Sequence, residues 1–103
     1  MAISVVLQDE NGVDISEIVH DPQGVITSSL SNVAVSSCGC VRFVDPYGDT
    51  VFNHLQATAM VEEWDALRRS FAERGAEVLW REVRKLIVRC SVEPHSYLKF
   101  VGD

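Results

Sequence analysis

Thr58-Ala59-Met60-Val61-Glu62-Glu63-Trp64-Asp65-Ala66-Leu67-Arg68-Arg69-Ser70-Phe71-Ala72-Glu73-Arg74-Gly75 carries the clearest period in this chain. Met60, Trp64, Leu67 and Phe71 recur at spacings of four, three and four, which lines them up as one apolar stripe on a helix. Thr58 offers an N-cap hydroxyl, with Glu62, Glu63 and Asp65 near the start and Arg68, Arg69 and Arg74 toward the end. That order complements the helix dipole, and Gly75 stands where a C-terminal cap belongs. Beyond it, Ala76, Leu79, Trp80, Val83, Leu86, Ile87 and Cys90 form a second stripe. At about 100° per residue the second stripe lies roughly a third of a turn from the first. With Gly75 at the phase break, an antiparallel helix pair is expected rather than one long rod.

The flanking sequence alternates instead. Ile3, Val5 and Leu7 share one side of a predicted strand, Asn11-Gly12 supplies a turn, and Val13 to Val19 reads as the return strand. Its alternation slips near Glu17-Ile18, where a bulge or fraying is expected. Asp21-Pro22-Gln23-Gly24 has turn chemistry. Residues 25–39, rich in serine, read as a surface excursion with one short helical turn. Cys40–Val44 and Thr50–Asn53, joined by Asp45-Pro46-Tyr47-Gly48-Asp49, read as a second hairpin, and Tyr97–Val101 as a last strand. The expected fold is a single α+β domain over 1–103. An antiparallel or mixed sheet of four or five strands, two hairpins plus a C-terminal strand, carries the antiparallel helix pair on one face.

At 103 residues, with 47% of them hydrophobic, the chain can bury a core without disulfides or metal. Three cysteines are an odd number, which argues against a closed disulfide framework. The apolar start, Ile3 to Leu7, has no basic residue ahead of it and is too short for a signal peptide; no run is long enough to span a bilayer. A cytoplasmic protein is expected. Charge is divided unevenly: residues 1–65 hold ten acids against Arg42 alone, whereas residues 66–103 hold eight bases and five acids. So acidic a front half speaks against direct nucleic-acid binding.

Cys38, Cys40, Cys90 and His95 are soft donors of the kind that hold zinc, or that could supply a cysteine-dependent activity. Cys-x-Cys is tighter than the usual ligand spacing, and Cys90 lies on the apolar stripe, so no metal and no cofactor are expected. Serine, histidine and aspartate are present without a Gly-x-Ser-x-Gly elbow. Glycines are isolated, so no phosphate loop is present, and Arg68, Arg69, Arg81, Arg84, Lys85 and Arg89 alternate with glutamates as a solvated face does. The acids Asp9, Glu10, Asp14, Glu17, Asp45 and Asp49, with Tyr47 among them and Asp21 nearby, fall on predicted turns and strand ends. There they would make a negative docking surface for a basic protein.

The segments Asp45 to Asn53 and Tyr97 to Asp103 resemble small uncharacterised bacterial proteins, a likeness that carries no activity with it. In size and acidity the chain is similar in type to bacterial immunity proteins, which bind and neutralise a toxin. The resulting expectation is a non-enzymatic, immunity-type inhibitor of a basic toxin enzyme, with no membrane and no nucleic acid as partner. The alternatives are a small metal-binding or cysteine-dependent enzyme module, and a homodimeric structural protein that presents Trp64 or Trp80 at its interface.

Overall fold

The two helical stripes do pack together, and they do so on one face of a four-stranded antiparallel sheet. The computed structural model describes residues 2–31 and 39–102. In chain order these form β1 (Ile3–Asp9), β2 (Val19–Asp21), α1 (Val25–Ser31), a 3-10 helix (Val41–Phe43), β3 (Asp49–Asn53), α2 (His54–Asp65), α3 (Arg68–Glu73), α4 (Glu77–Val92) and β4 (Ser96–Val101). The spatial strand order is β2-β1-β4-β3. β4 therefore lies between β1 and β3, with Val5 opposite Phe100 on one side and Phe52 opposite Leu98 on the other.

Alternation along the strands decides which face is covered. Ile3, Val5 and Leu7 of β1, Leu98 and Phe100 of β4, and Phe52 of β3 are buried together. Onto them α2 and α4 lay Met60, Trp64, Val83, Ile87 and Cys90, all fully buried, and α3 adds Phe71. Phe52 meets Phe100 edge-on at 5.9 Å, and Trp64 tilts against Phe71 at 5.2 Å, spacings at which aromatic pairs attract beyond their buried area. The end of α2 is fastened to the start of α4 by a reciprocal pair of bonds. The Trp64 indole N–H donates to the Trp80 carbonyl (3.0 Å), and the Trp80 indole N–H donates to the Trp64 carbonyl (2.8 Å). The Trp64 carbonyl is one of the last in α2, where the helix breaks, and it accepts from the indole and from the Leu67 amide (3.0 Å).

Several sequence expectations are corrected here. The helix starts at His54, not Thr58, because Asn53 and Gln56 form a capping box: each side chain bonds the other's backbone amide at 2.9 Å. Thr58 lies inside α2, its hydroxyl donating to the His54 carbonyl. The predicted first helix also breaks at Ala66–Leu67 into α2 and α3 while keeping its stripe buried, and Gly75 (φ +70°) ends α3 as expected.

Cys40–Val44 is no strand, so the second hairpin does not form. The Glu63 carboxylate accepts the Cys40 and Val41 amides (3.0 and 2.9 Å), which a strand would have spent on a ladder, and the chain coils into the 3-10 helix. β3 pairs with β4 instead.

The return strand of the first hairpin is shorter than Val13–Val19. Gln8 faces Asp14 in an isolated bridge, and pairing resumes with Val5 opposite Val19. Two extra residues are accommodated around Ser16–Ile18, where the alternation slips, and the Ser16 hydroxyl accepts the Leu7 amide at 2.9 Å. Of the stretch 25–39, residues 32–38 lie outside the described residues. Where a surface excursion with one short helical turn was expected, residues 25–31 form a seven-residue helix with Ile26 and Ser29 buried. Asp21 caps it, accepting the Val25 and Ile26 amides at 3.0 and 2.7 Å.

Trp64→Phe keeps an aromatic ring but removes one of the two reciprocal bonds and part of the packed volume. It should lower unfolding free energy by about 2 kcal/mol or more, measured by urea denaturation. Asn53→Ala should cost about 1 kcal/mol through the lost cap. A change at Trp64 no larger than the one at Asn53 would show that the tryptophan pair is not the main clamp.

Candidate functional site

The acidic side chains do not form one surface. Asp9 stands opposite Ser96 at the start of β4, and Asp49 stands opposite Val101 at its end. Along a strand these positions are about 17 Å apart. At the first end, the Asp9 carboxylate accepts the Asn11 and Val13 amides (2.8 and 3.0 Å) and so holds its own turn. Glu10 lies 3.4 Å from His95 Nδ1, and Asp14 accepts from Gln8 Nε2 at 2.8 Å. Glu17 is exposed in the bulge between the strands. Asp21 is buried beneath α1 and contributes nothing to the surface.

At the second end, Asp45 accepts the Tyr47 amide at 2.9 Å, while its own amide donates to the Thr50 hydroxyl at 2.9 Å. Asp49 pairs with Lys99 at 3.4 Å. The Gly102 amide donates to the Gly48 carbonyl (2.9 Å), and a Cβ at Gly102 would lie 2.6 Å from the Pro46 backbone, so glycine is required for this close approach. The turn is thereby held from both sides. On it Tyr47 is 70% exposed, and Phe43 just before it is 61% exposed, with the Arg42 guanidinium 4.7 Å above the Phe43 ring.

The soft donors lie in separate places. Cys90 is fully buried, its thiol 3.7 Å from the Ser96 carbonyl, and burial pushes its pKa up. Cys40 sits beside Glu63, and its thiol is also pushed up, first by burial and then by that carboxylate. His95 is exposed, in a left-handed conformation (φ 64°), and faces Glu10. Cys38 lies outside the described residues. Among the described residues, no three histidine, cysteine or acidic side chains are placed to hold a metal ion. Ser4 and His20 are cross-strand neighbours with Oγ 3.0 Å from Nδ1, but they stand on an exposed sheet surface. Trp64 and Trp80 are 0% and 5% exposed, so neither presents itself at a dimer interface as the third sequence expectation required.

One arrangement escaped the sequence reading, which took the helix arginines for a solvated face. Asp65, Arg68, Trp80, Arg81 and Arg84 line a cleft of about 420 Å³. Arg68 and Arg84 lie over the Trp80 ring at 5.1 and 5.9 Å, within cation–π range. Arg84 grips Asp65 with two N–H groups (2.6 and 3.2 Å). That hydrogen bond holds the Asp65 carboxyl below its usual range and raises Arg84 further. Glu77 lies within 3.5 Å of Arg68 and 3.3 Å of Arg81. The sequence signal was present: Arg84 follows Trp80 by four residues, and Arg68 follows Trp64 by four.

No protein-family model matches the chain, and no curated protein or solved structure matches it significantly. What these sites do must therefore be argued from their own chemistry.

Because the folded pKa of Asp65 is depressed, its ion pair stabilises above the unfolded carboxylate pKa, near 4, and that contribution is lost as pH falls through the lower folded value. The stability difference between wild type and Asp65→Asn should be present at neutral pH and vanish in acid. With both partners more than a third exposed, it should stay below about 1 kcal/mol. Urea midpoints across pH measure this, and a difference that grows in acid would contradict it. Alkylation at neutral pH should leave Cys90 unmodified in the folded protein and modify it on unfolding, as read by peptide mass spectrometry.

Proposed function

We propose that this chain is a non-enzymatic protein-binding domain, an immunity-type inhibitor that neutralises a basic bacterial toxin enzyme through the corner formed by Phe43 to Asp49. The observation that carries this is Tyr47, 70% exposed on a turn held by Asp45 at one end and by Gly102 at the other. A large, rigid, amphipathic side chain in that setting has the character of an interface anchor. The turn's backbone is already held, so little backbone freedom is left to lose on binding. Phe43 enlarges the apolar contact, and Asp45 and Asp49 flank it with negative charge.

The two acidic ends have different parts in this reading. Asp45, Tyr47 and Asp49 make the contacts. Asp9, Glu10, Asp14 and Glu17, near or toward the far end of the sheet, add to the negative field that draws in a basic partner.

The test is to look for a toxin-like reading frame immediately upstream and, with its product, to measure association and inhibition. Tyr47→Ala should weaken binding by about 2 kcal/mol, close to thirtyfold, mostly through faster dissociation. Asp49→Asn with Glu17→Gln should slow association, and the association rate should fall steadily as salt rises, because screening shortens to about 8 Å at physiological ionic strength. Arg69→Gln and Lys85→Gln, on the helices, serve as controls that leave both rates unchanged. A partner whose binding ignores Tyr47, the carboxylates and salt alike would rule out this corner as the interface.

A further inference from the structure

The cleft lined from α2, α3 and α4 is unlike the rest of this acidic protein, because three arginines line it and two of them, Arg68 and Arg84, lie over one buried indole. We propose that it is a binding site for a phosphate-type oxyanion, held by Arg68, Arg81 and Arg84, with Glu77 as the group the anion displaces.

The contacts that hold the arginines differ in strength, and this difference suggests how the site would work. Arg84 is fixed by the two-pronged bond to Asp65, at 2.6 and 3.2 Å. Arg68 and Arg84 also lie over the Trp80 ring at 5.1 and 5.9 Å, so the indole helps to keep both cations at the cleft. Glu77 meets Arg68 and Arg81 only at 3.5 and 3.3 Å, with one carboxylate oxygen serving both. Such long contacts are released at small cost. A tetrahedral anion, with more acceptor oxygens and more charge, makes shorter charge-assisted bonds to the same donors. These four hydrogen bonds use only a minority of the N–H groups that three guanidiniums carry. Three cations stand against Asp65 and Glu77, and the N-terminal end of the sixteen-residue α4 adds its positive dipole. The Trp80 ring is only 5% exposed, so it offers no platform for stacking a base. The ligand is thus the phosphoryl group itself, as inorganic phosphate or as the end of a small ester. This inference does not depend on the protein-binding corner, which lies on other elements.

Trp80 lines this cleft and Trp64 is hydrogen-bonded to it, so intrinsic fluorescence reports on the site. Titration with inorganic phosphate at constant ionic strength should give a saturable change below about 10 mM. Arg81→Gln should weaken that binding about tenfold, since Arg81 is more than half exposed and its replacement leaves the core intact. Glu77→Gln should tighten it about threefold by removing the competing charge, which a purely structural role for Glu77 would not do. Glycerol phosphate in place of phosphate separates the two sources: binding at least as tight assigns an ester, and weaker binding assigns the free ion. A wild-type response that matched sodium chloride reproduces, or one that Arg81→Gln leaves unchanged in a folded variant, overturns the proposal.

Discussion

Two indole N–H groups, each spent on the other tryptophan's carbonyl, set the geometry on which the rest of this protein depends. A buried indole donor without a partner is costly, and so is an unmatched carbonyl at a helix end. The Trp64–Trp80 exchange resolves both at once and fixes how the end of α2 meets the start of α4. With that junction set, the stripes of both helices face one way and cover Leu7, Leu98 and Phe100 together. The same junction builds the arginine cleft on its outer side, since Arg68 and Arg84 stack on the ring whose edge makes the bond. Core and cleft are thus two sides of one contact.

Where a residue's partner is local, the sequence announced it. The stripes at Met60, Trp64, Leu67 and Phe71 and at Trp80, Val83 and Ile87 repeat at helical spacing, and every one of these residues is buried. The Asp45 turn and the Gly75 cap were legible for the same reason. The capping box at Asn53 and Gln56 was also local and was passed over in favour of Thr58, a competing cap type four residues inside the helix. Where the partner is distant, the sequence was silent. Cys40–Val44 has strand composition, yet Glu63, more than twenty positions away, takes its amides and coils it. Asp21 looked like a surface acid and is a buried cap, because α1 follows it where the serines had suggested an excursion.

The candidate sites divide along the same line. Tyr47 and its flanking acids could be picked out from a short turn. Their separation from Asp9, Glu10 and Asp14 depends on β4 lying between β1 and β3. The arginine cleft joins residues from three helices, and helical periodicity alone gives the face of each without saying which faces meet. The corner at the sheet carries Phe43, Tyr47, Asp45 and Asp49, and the cleft at the helices carries three arginines. They rest on separate elements, so changes at one need not disturb the other.

The position of β4 has a kinetic consequence. Val5 and Phe100 are partners although 95 positions separate them, and β1 cannot complete its central pairing until β4 has been made. Closing so long a loop is entropically slow, whereas α2 and α4 are joined by a short connection and can associate early. During synthesis the helix pair would therefore stand for a time with its sheet-facing stripe uncovered, a surface that invites aggregation or a chaperone. The Tyr47 turn, which Gly102 helps to hold, would be among the last parts to set.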